Sequence, residues 1–186
     1  MDYHDYIWDL GGTLLDNYGL STKAFLSALA EFGISAASQD VYDKLKESTA
    51  AAVSYYAPDI PEFLKIYKQT ETKFLENPIL FKGAKEVLEK IVACGGRNFL
   101  VSHRNNQVLT ILEKTGIDFL FTEVVTSNNG FARKPNPESM LYLKDKYNIT
   151  KGLVIGDREI DIEAGRAAGF ATMLVDGSQS LIEIVT

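Results

Sequence analysis

Tyr6-Ile7-Trp8-Asp9-Leu10-Gly11-Gly12-Thr13-Leu14-Leu15-Asp16 is the stretch on which the reading of this chain turns. A short apolar run ends on an aspartate, and two adjacent glycines then let the backbone turn sharply. In an open parallel α/β sheet, ligands bind just beyond the carboxyl ends of the strands, where strand order reverses. A carboxylate at such an end is exposed where chemistry happens. Taken alone, Asp9 is more safely read as a turn-forming residue that closes a strand. The weighting changes because polar residues follow later strands in the same way.

Working outward, Tyr3 to Trp8 is expected as the first strand. Residues 17–77 then lose strand character and take up helical periods. Phe25, Leu26, Leu29 and Phe32 share one face after Ser21, a predicted N-cap, with Gly33 where a C-capping glycine belongs. Val41, Tyr42 and Leu45 form a second stripe, and Ala50 to Tyr56 a third. After the break at Pro58–Pro61, Ile60, Phe63, Leu64, Tyr67 and Phe74 form the longest stripe. This predicts a small helical bundle inserted after the first strand.

Pro78 returns the chain to α/β alternation. Ala84, Val87, Leu88 and Ile91 predict a helix closed by Gly95-Gly96, and Phe99-Leu100-Val101 a buried strand ending at Ser102. A helix over Val108, Leu109, Ile111 and Leu112 follows, then a strand from Phe121 to Thr126. Lys134-Pro135-Asn136-Pro137 introduces the next helix, with Asn136 as N-cap, Pro137 at its first position, and Met140, Leu143 and Tyr147 along it. Leu153-Val154-Ile155 leads to Gly156-Asp157. A small-residue helix through Ala164, Ala167 and Ala168 stops at Gly169, and Ala171 to Val175 is the last strand. Strands alternating with helices imply right-handed crossovers and a doubly wound parallel sheet.

Composition narrows the partners. With 46% hydrophobic and 24% charged residues, 186 residues suit one domain plus an insertion. A formal charge of −6 argues against nucleic acid or an anionic membrane surface as the main partner. Cys94 is the only cysteine, which excludes an internal disulfide and a cysteine metal site. No apolar run reaches the roughly 18 residues of a membrane span, and the acidic N-terminus is unlike a signal peptide. The expected location is cytoplasmic.

Asp9, Ser102, Lys134 and Asp157 all sit just past a strand or in the loop beyond one. In a parallel sheet those ends share an edge, so residues distant in sequence converge. Two carboxylates about 4 Å apart repel by roughly 4 kcal/mol at an effective dielectric near 20, so a proton or a cation must settle between them. Magnesium, a hard cation with oxygen ligands, suits a carboxylate pair and a phosphate. A serine hydroxyl and a lysine ammonium can complete the cradle. Asp161, one helical turn beyond Asp157, is placed to orient Lys134 or a metal-bound water. Each residue also has an ordinary reading: Ser102 as a helix cap, Lys134 as a solvated loop charge, Asp157 as a helix N-terminal acid, Asp161 as a partner of Arg158 or Arg166.

As an ordered set these motifs resemble the haloacid dehalogenase superfamily, in its phosphoglycolate phosphatase-like branch. Trp8-Asp9-Leu10-Gly11-Gly12-Thr13-Leu14 is similar to the first motif, Leu100-Val101-Ser102 to the second, Lys134-Pro135 to the third, and Ile155-Gly156-Asp157-Arg158-Glu159-Ile160-Asp161-Ile162 to the fourth. The resemblance implies a Rossmann-like core over residues 1–16 and 78–186, and a helical cap of the first type over 17–77. It implies a phosphatase in which Asp9 is the nucleophile and Ser102 and Lys134 hold the phosphoryl group. On the same resemblance Asp9, Asp157 and the backbone carbonyl of Gly11 are expected to bind Mg2+, with Asp161 at the same site, and His103 and Arg104, beside Ser102, are expected in the substrate-binding set. The expected partner is a small phosphorylated metabolite, with the chain a monomer or weak dimer.

One position departs from the family. Its phosphatases carry a second aspartate two residues after the nucleophile, as general acid and base; here that residue is Gly11. A positioned acid or base is worth roughly 10² to 10⁴ in rate. Three readings follow. The first is a phosphatase with a substitute acid, or with a leaving group that needs little help; His103 is the nearest titratable group, unless it merely lines the pocket or bonds to backbone. Dehalogenases and phosphonate-cleaving members also lack the aspartate, but Gly156-Asp157 speaks against the former, and the latter need a cap lysine (Lys23, Lys44 and Lys46 are available). The last is a module that binds a phosphorylated ligand without turning it over. Arg104 is read either as a site for a second anionic group or as the partner of an acid on the cap.

Overall fold

The computed structural model describes residues 2–185. In chain order it contains β1 (Asp5–Trp8), α1 (Asn17–Glu31), α2 (Ser38–Glu47), α3 (Thr49–Tyr56), α4 (Phe63–Phe74) and α5 (Ala84–Ala93). These are followed by β2 (Arg97–Val101), α6 (Gln107–Thr115), β3 (Glu123–Val125), α7 (Glu138–Tyr147), β4 (Gly152–Gly156), α8 (Glu159–Ala167) and β5 (Ala171–Leu174). Two compact units result. One takes the chain up to Leu15 and from Leu80 onward; the other is Asp16–Ile79.

In the first unit all strand pairs are parallel, in the order β3-β2-β1-β4-β5. The chain steps outward from β1 to β2 and β3, then returns to the opposite side of β1 for β4 and β5. Strand order therefore reverses beside β1, the position that α/β sheets use for ligands. Residues alternate between faces with period two. Tyr6, Trp8, Leu100, Leu153 and Ile155 pack with α5 and α6 through Val87, Leu88, Ile91, Val108 and Leu112. Ile7, Phe99, Val101 and Val154 pack with α7 and α8 through Met140, Leu143, Ala164 and Ala168. Both faces of β1 are thus covered, which is why its sequence is apolar from Tyr6 to Trp8, while Asp5 at the strand's start is buried against Arg97.

Strand β2 starts earlier than its apolar run suggests, because Asn98 lies fully buried within it. Its amide oxygen accepts from Trp8 Nε1 at 3.0 Å, and its amide nitrogen donates to Leu88 O and Leu120 O, each at 3.1 Å. A polar side chain with three partners is tolerated in a core. Asn98→Leu strips the buried indole N–H and two carbonyls of those partners and is expected to cost about 3 kcal/mol or more. Urea unfolding, followed through the emission of Trp8, the only tryptophan, checks this; an unchanged midpoint would refute it.

In the second unit Phe25 of α1 lies at the centre of an aromatic cluster, with ring centroids of Phe63 at 4.9 Å, Tyr67 at 5.0 Å and Tyr56 at 5.9 Å. Ser21 does not cap α1. Asp16 does, accepting Gly19 N–H at 3.0 Å, while Ser21 is buried within the helix and donates to Glu71 at 2.7 Å. Gly33 follows the C-cap at φ +69°, in the left-handed region expected of it. Leu64 and Leu109 fall on the outer faces of their helices, 46% and 44% exposed. Asn136 accepts Glu138 N–H at 3.0 Å from one position before the cap, because the helix begins at Glu138 and Pro137 is its cap residue. His4 precedes β1, which starts at Asp5. No helix among the described residues is long and apolar enough to cross a membrane.

Candidate active site

The sheet ladder carries the candidate residues to one edge. Asp9 follows the last residue of β1, and its N–H still bonds to Ile155 O of β4 at 2.9 Å. Ser102 follows the last residue of β2, and its N–H bonds to Val125 O of β3 at the same distance. Asp157 follows β4 directly, and Asp161 lies in the first turn of α8. Lys134 comes from the loop before α7, through a cis Lys134–Pro135 peptide.

Lys134 joins these elements. Its residue is 6% exposed. Its ammonium donates to Asp9 Oδ1 at 2.7 Å and Val101 O at 3.1 Å, and pairs with Asp161 Oδ1 at 2.5 Å. It is therefore not a solvated loop charge: burial works against its proton, but the two carboxylates prevail and hold its pKa above the ordinary lysine value. Asp161 Oδ2 accepts Arg158 N–H at 3.2 Å. Both Asp161 oxygens thus have partners, and the ammonium is its charged one. Asp9 is shifted the other way from most ion-paired aspartates. Burial raises its pKa, Lys134 opposes this, and the charge on Asp161 adds to it.

Carboxylate oxygens of Asp9, Asp157 and Asp161 lie within 4.8 Å of one another. Asp9 and Asp161 share the Lys134 ammonium, and three carboxylates this close are an oxygen donor set of the kind a divalent cation fits. Thr13, buried beside Asp157, donates to its Oδ1 at 3.5 Å.

Two glycines make room for this cluster. A Cβ on Gly156 would overlap Asp161. Gly12 has φ +85°, and a Cβ there would overlap the Asp157 carboxylate. Gly12→Ala combines left-handed strain with that collision and is expected to cost about 2 kcal/mol or more. The urea midpoint reads this, and a variant as stable as the parent would show that the loop yields freely.

Ser102 does not cap the following helix; its Oγ instead accepts Arg104 N–H at 3.2 Å. His103 Nε2 accepts the backbone N–H of Lys134 at 2.8 Å. Partial burial, then the charges of Lys134 and Arg133, push the His103 pKa down to about 4. Arg104 is tied down through its backbone, its carbonyl accepting Ser127 N–H at 2.8 Å. Of the lysines considered for a Schiff base, Lys23 and Lys46 are exposed and Lys44 pairs with Glu47 at 2.9 Å. None sits in a desolvated environment of the kind that activates a lysine.

Sequence reasoning did not single out Thr13, Val101 O, or the asparagines that bind the loops after β2 and β3 together. Asn106 N–H donates to Asn128 Oδ1 at 3.0 Å, and Thr126 Oγ1 to Asn106 Oδ1 at 2.8 Å. The pairs Asn105-Asn106 and Asn128-Asn129 were the visible signal, but their partnership is tertiary.

With this geometry in hand, comparison with known proteins is informative. A family model described as haloacid dehalogenase-like hydrolase matches residues 6–175. The chain is similar to a hydrolase of known structure from Streptococcus pneumoniae, with 60% identity and a TM-score of 0.94, covering 99% of this chain and 97% of that one. It is also similar to a phosphoglycolate phosphatase from Haemophilus influenzae, 29% identical over 184 residues, covering 89% of this chain and 82% of that enzyme. A phosphoglycolate phosphatase from Aliivibrio fischeri is 34% identical over 93 residues, a match that spans 48% of this chain and 41% of that enzyme.

Proposed function

The chain belongs to the haloacid dehalogenase-like hydrolase family, and from that premise we propose that it is a magnesium-dependent phosphatase acting on a small phosphorylated metabolite through an aspartyl-phosphate on Asp9. The observation that carries this reading is the Asp9 carboxylate at the β1 end, with Lys134 Nζ 2.7 Å from its Oδ1. Small substrates of the phosphoglycolate type are suggested by the relatives above, with the chain a monomer or weak dimer.

The donor set fits a magnesium ion: Asp9, Asp157 and the Gly11 carbonyl would hold it, and Asp161 acts through Lys134. When bound, the ion offsets charge between these carboxylates and the phosphate. Lys134 engages Oδ1 of Asp9, leaving Oδ2 to attack phosphorus. The bond from phosphorus to the ester oxygen breaks, and the leaving alkoxide takes its proton from water because Gly11 has no side chain to supply one. A second water then attacks phosphorus, the bond to Asp9 breaks, and inorganic phosphate leaves with the carboxylate regenerated. Ser102 and Lys134 neutralise and orient the phosphoryl oxygens through both steps.

Phosphate release from a panel of phosphomonoesters, with and without magnesium, tests the proposal. Magnesium-dependent turnover is expected, at a low or narrow level; absence of turnover across the panel would count for a binding module instead. Gly11→Asp then isolates the missing acid. Gly11 is not among the glycines with positive φ, so left-handed strain does not oppose a side chain there. An acid introduced without its supporting contacts is expected to recover the low end of general acid–base catalysis, about 10²-fold in kcat. An unchanged or lower kcat would mean that proton transfer does not limit the parent.

A further inference from the structure

His103 has one ring nitrogen whose state is fixed by its partner. A backbone N–H only donates, so Nε2, which receives the Lys134 N–H at 2.8 Å, presents a lone pair and carries no proton. A protonated ring has no lone pair there and breaks this bond. We propose that His103 is a neutral Nδ1–H histidine whose bare Nε2 anchors the Lys134 backbone, making it a positioning residue for the phosphatase lysine rather than the proton donor that Gly11 lacks.

The surroundings favour that state. Partial burial opposes charge on the ring, and Lys134, Arg133 and Arg158 do the same, while the charge of Asp161 acts the other way. The neutral ring's remaining proton is on Nδ1, and releasing it would require an imidazolate, far outside the working range of histidine. The neutral ring is therefore no proton donor, and accepting a proton at Nε2 in turnover would break the anchor.

The anchor also has a clear mechanical consequence. Lys134 precedes α7 in a loop without regular structure. Its Nζ is held by Asp9, Val101 O and Asp161, and its N–H by His103. The backbone and the tip of one side chain are thus fixed independently, which sets where the ammonium meets the phosphoryl group. The role assigned to His103 rests on the phosphatase reading of Lys134; the tautomer does not.

The test uses the full chain labelled with ¹⁵N-histidine. There are two histidines, and His4 is assigned with a His4→Gln variant. Long-range ¹⁵N–¹H correlations are expected to show His103 as the Nδ1–H tautomer, with no protonation from about pH 8 down to about pH 6. An Nε2–H tautomer, or a ring that charges in that window, would overturn the proposal. In turnover, His103→Gln keeps an acceptor near Nε2 and is expected to stay within about threefold of the parent with an unshifted pH profile. His103→Leu is expected to lose about tenfold, one hydrogen bond's worth, and to expose the Lys134 amide to faster hydrogen exchange. If Gln proves as inactive as Leu and one limb of the pH profile disappears, the ring is the acid and the proposal fails. If no phosphoester is turned over at all, the phosphatase reading fails separately, while the tautomer and the Lys134 exchange still judge the anchor.

Discussion

Asp9→Asn is expected to abolish magnesium-dependent phosphate release, by about 10⁴-fold or more, without unfolding the protein. An amide oxygen is a far weaker nucleophile than a carboxylate. The fold is expected to tolerate the change because Lys134 keeps Asp161 and Val101 O as partners, and Asn can still offer an oxygen to Nζ. Linkage gives the sign of the stability effect. The folded pKa of Asp9 is raised above its unfolded value, so the folded state binds the proton more tightly. Stability from this group is present at low pH and lost as pH rises through the folded pKa. At neutral pH the ionised carboxylate is a burden that Asn removes, so the variant is expected to be as stable as the parent or slightly more so. Steady-state phosphate release and urea unfolding, run on the same preparations, check both halves. Turnover within tenfold of the parent would remove Asp9 as nucleophile.

Lys134→Met carries the largest expected stability effect. Asp9 and Asp161 would then face each other buried without a cation, their oxygens within 4.8 Å, a repulsion of about 3 kcal/mol at an effective dielectric near 20. Val101 O loses a donor as well. Removing one partner from a buried ionic cluster typically costs about 3 to 5 kcal/mol, and that range is expected here. Turnover is expected to fall by about 10³-fold, since a cation aimed at the transferring group contributes mainly in the transition state. The pH dependence distinguishes lost charge from lost packing. Without the ammonium, the carboxylates gain protons more readily in the folded state, so the deficit relative to the parent is expected to shrink as pH falls from neutral toward the carboxylate range. A deficit that stays constant with pH would place the cost in packing and not in the stranded charges.

Much of the fold was legible because its signals are local. The alternation of apolar runs and helical stripes after Pro78 matches β2 to β5 and α5 to α8, since burial on both faces forces near-continuous apolar strands. The misreadings have local causes too. Ser21 looked like a cap because serine favours caps, yet a buried serine is stable mid-helix once Glu71 accepts its proton. The predicted strand began at Phe99, after an asparagine, yet Asn98 belongs to β2 because Trp8, Leu88 and Leu120 satisfy it in the core. Leu64 and Leu109 belong to the right helices on the wrong face, because a short stripe does not define its own width.

Sequence alone determined the motif residues, the glycines among them and the presence of glycine at position 11, because these depend on residue type and order. Only the tertiary structure decided what Asp161 and His103 do. Spacing placed Asp161 one turn beyond Asp157, but the choice of Lys134 over Arg158 or Arg166 as its charged partner depends on where the loop before α7 lands. His103 carried the residue type of an acid. Its state is set by a backbone N–H that lies 31 positions away in sequence and beside it in space. Protonation follows from the field and hydrogen bonds at a point in space, and several distant segments together create that point.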